Sequence, residues 1–91
     1  MSAQAIVDPS ELRRFAQALK RFNSELEGSC QRINGEFRQL GDTWRDQKYH
    51  KFAQEFEQTL QMIQRFIRTS EPFIPFLNRQ AQLIEEYLHH H

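Results

Sequence analysis

Leu40-Gly41-Asp42-Thr43-Trp44-Arg45-Asp46 interrupts an otherwise continuous helical pattern. Gly41 follows the last apolar residue of one periodic segment, where a C-cap glycine belongs. Thr43, with Asp46 three residues later, makes an acidic variant of the capping box that opens a helix, and Asp42 is a rival cap. Trp44 stands between the stop and the start. A connection this short forces the flanking helices to lie antiparallel. The expected fold is all-α: an antiparallel two-helix hairpin, with one helix over about residues 9–40, a turn at 41–44 and a second helix over about 45–88.

Upstream of the turn, Asp8-Pro9-Ser10-Glu11 carries several independent signals for a helix start. Asp8 suits the N-cap, Pro9 the first helical position, and Glu11 the capping-box acid. Val7 and Leu12 fall at the positions of a hydrophobic staple, and residues 1–7 read as a loose arm. Leu12, Phe15, Leu19, Phe22, Leu26, Cys30, Ile33, Phe37 and Leu40 then recur in steps of three and four. That is a heptad-like stripe with one extra residue before Cys30, a stutter that relaxes any supercoil. Gly28 and Gly35 lie inside it, either as tolerated surface glycines or as points where another helix comes close.

Downstream, Tyr49, Phe52, Phe56, Leu60, Ile63, Ile67, Ile74, Leu77, Ala81, Ile84 and Leu88 form the matching stripe. Phe66, Phe73, Phe76, Leu83 and Tyr87 add a second apolar edge. Pro72 and Pro75 each remove a backbone donor and crowd the preceding turn, so a kink or break is expected near Ser70–Pro75. Thr69 or Ser70 could cap the renewed helix.

Twelve Lys and Arg balance twelve Asp and Glu. That neutrality argues against nucleic acid or an anionic membrane surface as the main partner, since both need a basic excess. No apolar run approaches the roughly 18 residues of a membrane span. No basic-then-apolar leader opens the sequence, so the compartment stays open: secreted without a cleavable signal peptide, or cytoplasmic. The single cysteine, Cys30, excludes an internal disulfide and fits a small buried hydrophobe. His89, His90 and His91 look like a purification-tag remnant, which leaves one domain over residues 1–88.

Nothing in the pattern assembles a chemical centre, so the expectation is not an enzyme, with no cofactor, metal or small-molecule substrate. Asp46 and His50 share a helix face, but bundle metal sites need such residues converging from several helices, and the first helix has no histidine. Cys30 and His50 could face one another at similar heights, a weak coincidence rather than a supported nucleophile pair. Trp44 is either a hydrophobic plug for the turn or a recognition anchor. Two helices side by side leave much of their apolar stripes wet, and a chain this small buries little alone. Pairing into a four-helix bundle would cover both edges, with a second copy as a homodimer or with a related hairpin. Phe52, Phe56, Phe66, Phe73 and Phe76 are the candidate interface residues. A monomer whose C-terminal segment folds back as a third helix is the structural rival.

With Trp44-Arg45-Asp46 between two amphipathic helices, the chain resembles the WXG (Trp-x-Gly) family of small helical-hairpin type VII secretion proteins, the early-secreted-antigen class. Phe52, eight residues after the tryptophan, and Leu40, four before it, match apolar positions of that family. The likeness covers about residues 9–88. It differs in carrying Asp46 where the motif has glycine, and Tyr87 is not followed by the family's Tyr-x-x-x-Asp/Glu signal. The resemblance implies a protein-interaction module: a secreted effector, a chaperone-like partner or an assembly component. The alternative is a cytoplasmic structural or adaptor subunit unrelated to secretion.

Overall fold

The computed structural model describes residues 7–89. Three helices follow in order: α1 (Pro9–Thr43), α2 (Gln47–Ser70) and α3 (Phe73–His89). The inferred loose arm lies, except for Val7, outside the described residues, as do His90 and His91.

Asp8 caps α1 from an extended backbone (φ −71°, ψ 121°). Its Oδ1 accepts from the Ser10 amide at 2.9 Å and the Ser10 hydroxyl at 2.8 Å. Those donors hold the Asp8 carboxyl below the usual carboxylate range. Glu11 does not close a capping box. Its carboxylate turns instead to Arg14, one turn on, at 3.0 Å.

The turn departs from expectation in its details. Helix α1 does not end at Leu40 but runs to Thr43, and Gly41 is helical, with no positive-φ glycine among the described residues. The chain leaves the helix through Trp44, whose extended backbone (φ −99°, ψ 106°) still donates its N–H to the Leu40 carbonyl at 2.9 Å. An exit through an extended residue needs no left-handed glycine. Thr43 is not the N-cap of α2 either: its hydroxyl donates back to Leu40 O at 3.3 Å. Asp46 is the cap, accepting from the Tyr49 amide at 3.1 Å.

The second arm is interrupted as the prolines require. Pro72 has no N–H to offer the Arg68 carbonyl, and Pro75 none for Glu71. Glu71 nonetheless keeps helical angles (φ −54°, ψ −44°), and Ile74 donates to the Glu71 carbonyl at 3.1 Å. Ser70 does not cap α3; its hydroxyl donates to Ile67 O at 3.1 Å. Helix α3 continues along α1 rather than folding back as a third layer. Arg13–Glu85, Asn23–Ser70 and Phe37–Phe56 are successive rungs of one antiparallel ladder.

The hairpin seam is not the full stripe inferred from spacing. On α1 the buried residues are Ala16, Asn23, Cys30 and Phe37, one per heptad. Phe15, Phe22, Ile33 and Leu40, assigned above to the same stripe, are exposed on its flank. Small residues let helices approach, and Ala16 and Ala81 are the most completely buried side chains. Backbones therefore run closest between α1 and α3, whereas aromatic rings hold α1 and α2 further apart. Gly28 and Gly35 mark no helix approach. An added Cβ meets nothing within 4 Å at Gly35, and only the Arg32 side chain at Gly28.

The result is one helix thick and two wide, 69 × 25 × 14 Å. Its radius of gyration is 20.5 Å, against about 12 Å for a compact chain of this length. Its accessible surface is 7515 Å², where a compact monomer of this mass exposes roughly 5,600 Å². No large side chain is completely buried among the described residues.

Candidate interaction face and hairpin tip

Trp44, Arg45 and Asp46 divide the work of the turn. Trp44 ends α1, and Asp46 starts α2. Between them, Arg45 reaches back to the Asp42 carbonyl with Nε at 3.2 Å and Nη2 at 3.0 Å, satisfying an acceptor that the helix end leaves unpaired. Glycine and aspartate are both good N-cap residues, so Asp46 occupies a position where either works.

The Trp44 indole is half-buried against Tyr49 (centroids 5.5 Å apart) and Phe52 (5.7 Å). Phe37 joins them from α1, 5.9 Å from Tyr49, 6.0 Å from Phe52 and 4.7 Å from Phe56. This stack positions Trp44 as the plug of the tip. It also explains Gly41, because a Cβ there would stand 2.5 Å from the Tyr49 hydroxyl oxygen.

The exposed apolar residues gather on one side of the seam. Phe15, Phe22, Ile33 and Leu40 are spaced by seven and eleven residues, both near-whole numbers of turns, so they form one line along α1. Phe22 meets Phe66 of the other arm edge to face at 6.0 Å. Ile33, Leu40 and Phe52 line one apolar groove of about 320 Å³, floored by Phe37 and Phe56. Phe73 and Tyr87 follow Phe66 at multiples of seven, and Phe76 and Leu83 flank them. Of the five candidate interface residues, Phe52, Phe66, Phe73 and Phe76 are exposed. Phe56 is half-buried between Phe37 and Phe52 and belongs to the floor of the groove. The α1 line and Met62 (71% exposed) are the members that sequence reasoning did not select.

Across the seam the surface is polar. Gln31 lies about 200° around α1 from Ile33. With Glu27, Asn34, Gln64 and Arg68 it lines a second groove of about 310 Å³, where Cys30 and Ile67 also contribute. Among the described residues no three His, Cys, Asp or Glu side chains converge as a metal site, and no helix is long and apolar enough to cross a membrane.

An ion pair and a buried hydrogen bond tie the arms together. At the open end Arg13 grips Glu85 with two hydrogen bonds, Nη2 to Oε1 at 2.8 Å and Nε to Oε2 at 3.2 Å. The hydrogen bond from Arg13 holds the Glu85 carboxyl below the usual range. Midway, the Asn23 side-chain amide donates to the Ser70 hydroxyl at 2.8 Å, with both residues buried. Neither pair has a signature in a single sequence, because the partners stand 72 and 47 residues apart.

A family model, WXG100, described as proteins of 100 residues with WXG, matches residues 4–87. Among solved structures, the secreted protein EsxB of Bacillus anthracis is 29% identical, with a TM-score of 0.75 over 91% of this chain and 95% of that one. A form of EsxB with proline replaced by alanine reaches a TM-score of 0.79 at 28% identity, over 92% of this chain and 94% of that one. An uncharacterized protein of Clostridium acetobutylicum is 25% identical over 84 residues, spanning 92% of this chain and 88% of its own.

Proposed function

The chain belongs to the WXG100 family, and from that premise we propose that it is a non-enzymatic interaction module associated with type VII secretion. It acts by pairing its apolar face with a second copy or with a related hairpin. The observation that carries this reading is the one-sidedness of the exposed apolar surface. A monomer of this size rarely leaves so long a row of aromatics wet without a use for it. The rest of the surface is polar and charge-balanced, which suits a protein partner better than a phosphate backbone or an anionic membrane.

The description of EsxB as a secreted protein supports export of this chain as effector or as partner of one. The hairpin tip fits the same role. Trp44 is locked into the tip by its own chain, so the turn is rigid and the long face beside it does the binding. Light scattering at micromolar concentration tests the pairing. The expected mass is twice the 11.0 kDa of one chain, either for the protein alone or after mixing with a related hairpin. A mass of one chain in both experiments overturns the proposal.

A further inference from the structure

The exposed row on the second arm runs straight across a break in its helix. Met62, Phe66, Phe73, Phe76, Leu83 and Tyr87 keep spacings of three, four and seven from α2 into α3. Such a row stays in line only if α3 keeps the rotational phase of α2. The covalent joint holds that phase with fewer hydrogen bonds than an unbroken helix. Pro72 and Pro75 delete two helical hydrogen bonds there, while Glu71 N–H to Ile67 O (3.0 Å), Ile74 N–H to Glu71 O (3.1 Å) and Phe76 N–H to Pro72 O (3.3 Å) remain.

The apolar seam beside the joint adds volume but little direction. Ile63, Ile67, Ile74 and Leu77 are apolar, and apolar contacts are non-directional. One directional contact lies at the joint. Asn23 and Ser70, 2% and 3% exposed, are bonded to each other, and Ser70 is the last residue of α2. The pair is not optimised for stability, because Asn23 Oδ1 is buried without a partner. Leaving a buried acceptor unpaired destabilises a fold, while a single buried polar residue at a seam position can specify register.

We propose that Asn23 and Ser70 form a latch that sets the rotation of the α2–α3 joint against α1 and so, with Arg13 holding Glu85 near the far end of α3, keeps the two halves of the exposed row in line for a partner helix. The purpose of the latch rests on the pairing proposed above; its geometry does not. Spin labels at Ser24→Cys and Gln82→Cys, in a Cys30→Ala background, place probes on exposed positions of α1 and α3. Labelled chains diluted into excess unlabelled protein report the distance within one chain.

With Asn23 present, one narrow distance is expected. Asn23→Leu is expected to hold or raise the melting temperature yet broaden or split the distance distribution. It is also expected to weaken self-association ~tenfold or more. A narrow, unchanged distribution in Asn23→Leu overturns the latch. If Asn23→Leu does not fold, the exchange Asn23→Ser with Ser70→Asn decides. Recovery of the narrow distance lost in Asn23→Ser supports the latch, and failure to recover it overturns the latch. A chain that proves monomeric refutes the pairing, while the intrachain distance still tests the latch.

Discussion

Replacing Gly41 by alanine sets two effects of known size against each other. Alanine in place of a helical glycine stabilises by about 1 kcal/mol. Yet the new Cβ would lie 2.5 Å from the Tyr49 hydroxyl oxygen and 3.1 Å from the adjoining ring carbon. The ring must move, and it is stacked 5.9 Å from Phe37 and packed 5.5 Å from Trp44. Each aromatic pair contributes about 0.5–1.5 kcal/mol beyond area burial. Losing both costs about 2 kcal/mol, so Gly41→Ala is expected to destabilise by about 1 kcal/mol net. In a domain of this size that lowers the melting temperature by roughly 4–8 °C.

Gly35→Ala is the internal control. Its Cβ meets nothing within 4 Å, so only the propensity gain of about 1 kcal/mol remains and the melting temperature rises. Tyr49→Phe supplies the second control by removing the clashing oxygen. In that background Gly41→Ala becomes neutral or stabilising, a coupling of at least about 1 kcal/mol. The assay is helical circular dichroism against temperature at fixed protein concentration, with Trp44 fluorescence as a local probe of the tip. If Gly41→Ala raises the melting temperature as much as Gly35→Ala, the account of the tip is wrong.

Other perturbations separate the remaining contacts. Asp46→Ala removes the α2 cap and is expected to cost about 1 kcal/mol, whereas Asp46→Gly, which restores the family glycine, costs only a few tenths; equal melting curves for the two variants would contradict this role. Glu85 has a lowered carboxyl pKa, so its contribution is present above its unfolded-state pKa and is lost as pH falls through the folded value. Wild type should therefore melt above Glu85→Gln at pH 7, and the two curves should converge as pH falls through the lowered folded-state pKa of Glu85; a gap that persists in stronger acid excludes the Arg13 clamp as its source. Phe73→Ser with Phe76→Ser removes two exposed rings, so helicity should persist while the assembled mass falls to one chain. Unfolding of that double variant would place the rings in the core instead.

How far the chain could be read in advance differs from residue to residue. The helix start at Asp8 and the break at Pro72 depend on neighbours in sequence, and local chemistry sufficed for both. The turn was found but its parts were misassigned. Thr43 and Gly41 carry the right residue types for caps, yet Trp44 and Asp46 hold those posts, because rival caps one turn apart differ by less than the aromatic packing that chooses between them. The largest revision concerned Phe15, Phe22, Ile33 and Leu40. A step of three or four places a residue near a stripe but does not say which side of it meets the neighbouring helix. Ala16 and Asn23 won the seam because close helix approach favours small side chains, and that preference has no hydrophobic signal.

Periodicity, caps and prolines alone determined an all-helical chain that reverses once and falters near residue 72. These follow from bonds within a few residues, which any conformation of the chain must satisfy. Only the tertiary structure decided the rotation of each helix about its axis, and with it which side chains form the exposed apolar face. That rotation sent aromatic rings outward along one side, paired Asn23 with Ser70, and joined Arg13 to Glu85. It is set by volumes and directional contacts between residues far apart in sequence, where a change of a few tens of degrees exchanges a core residue for an interface one.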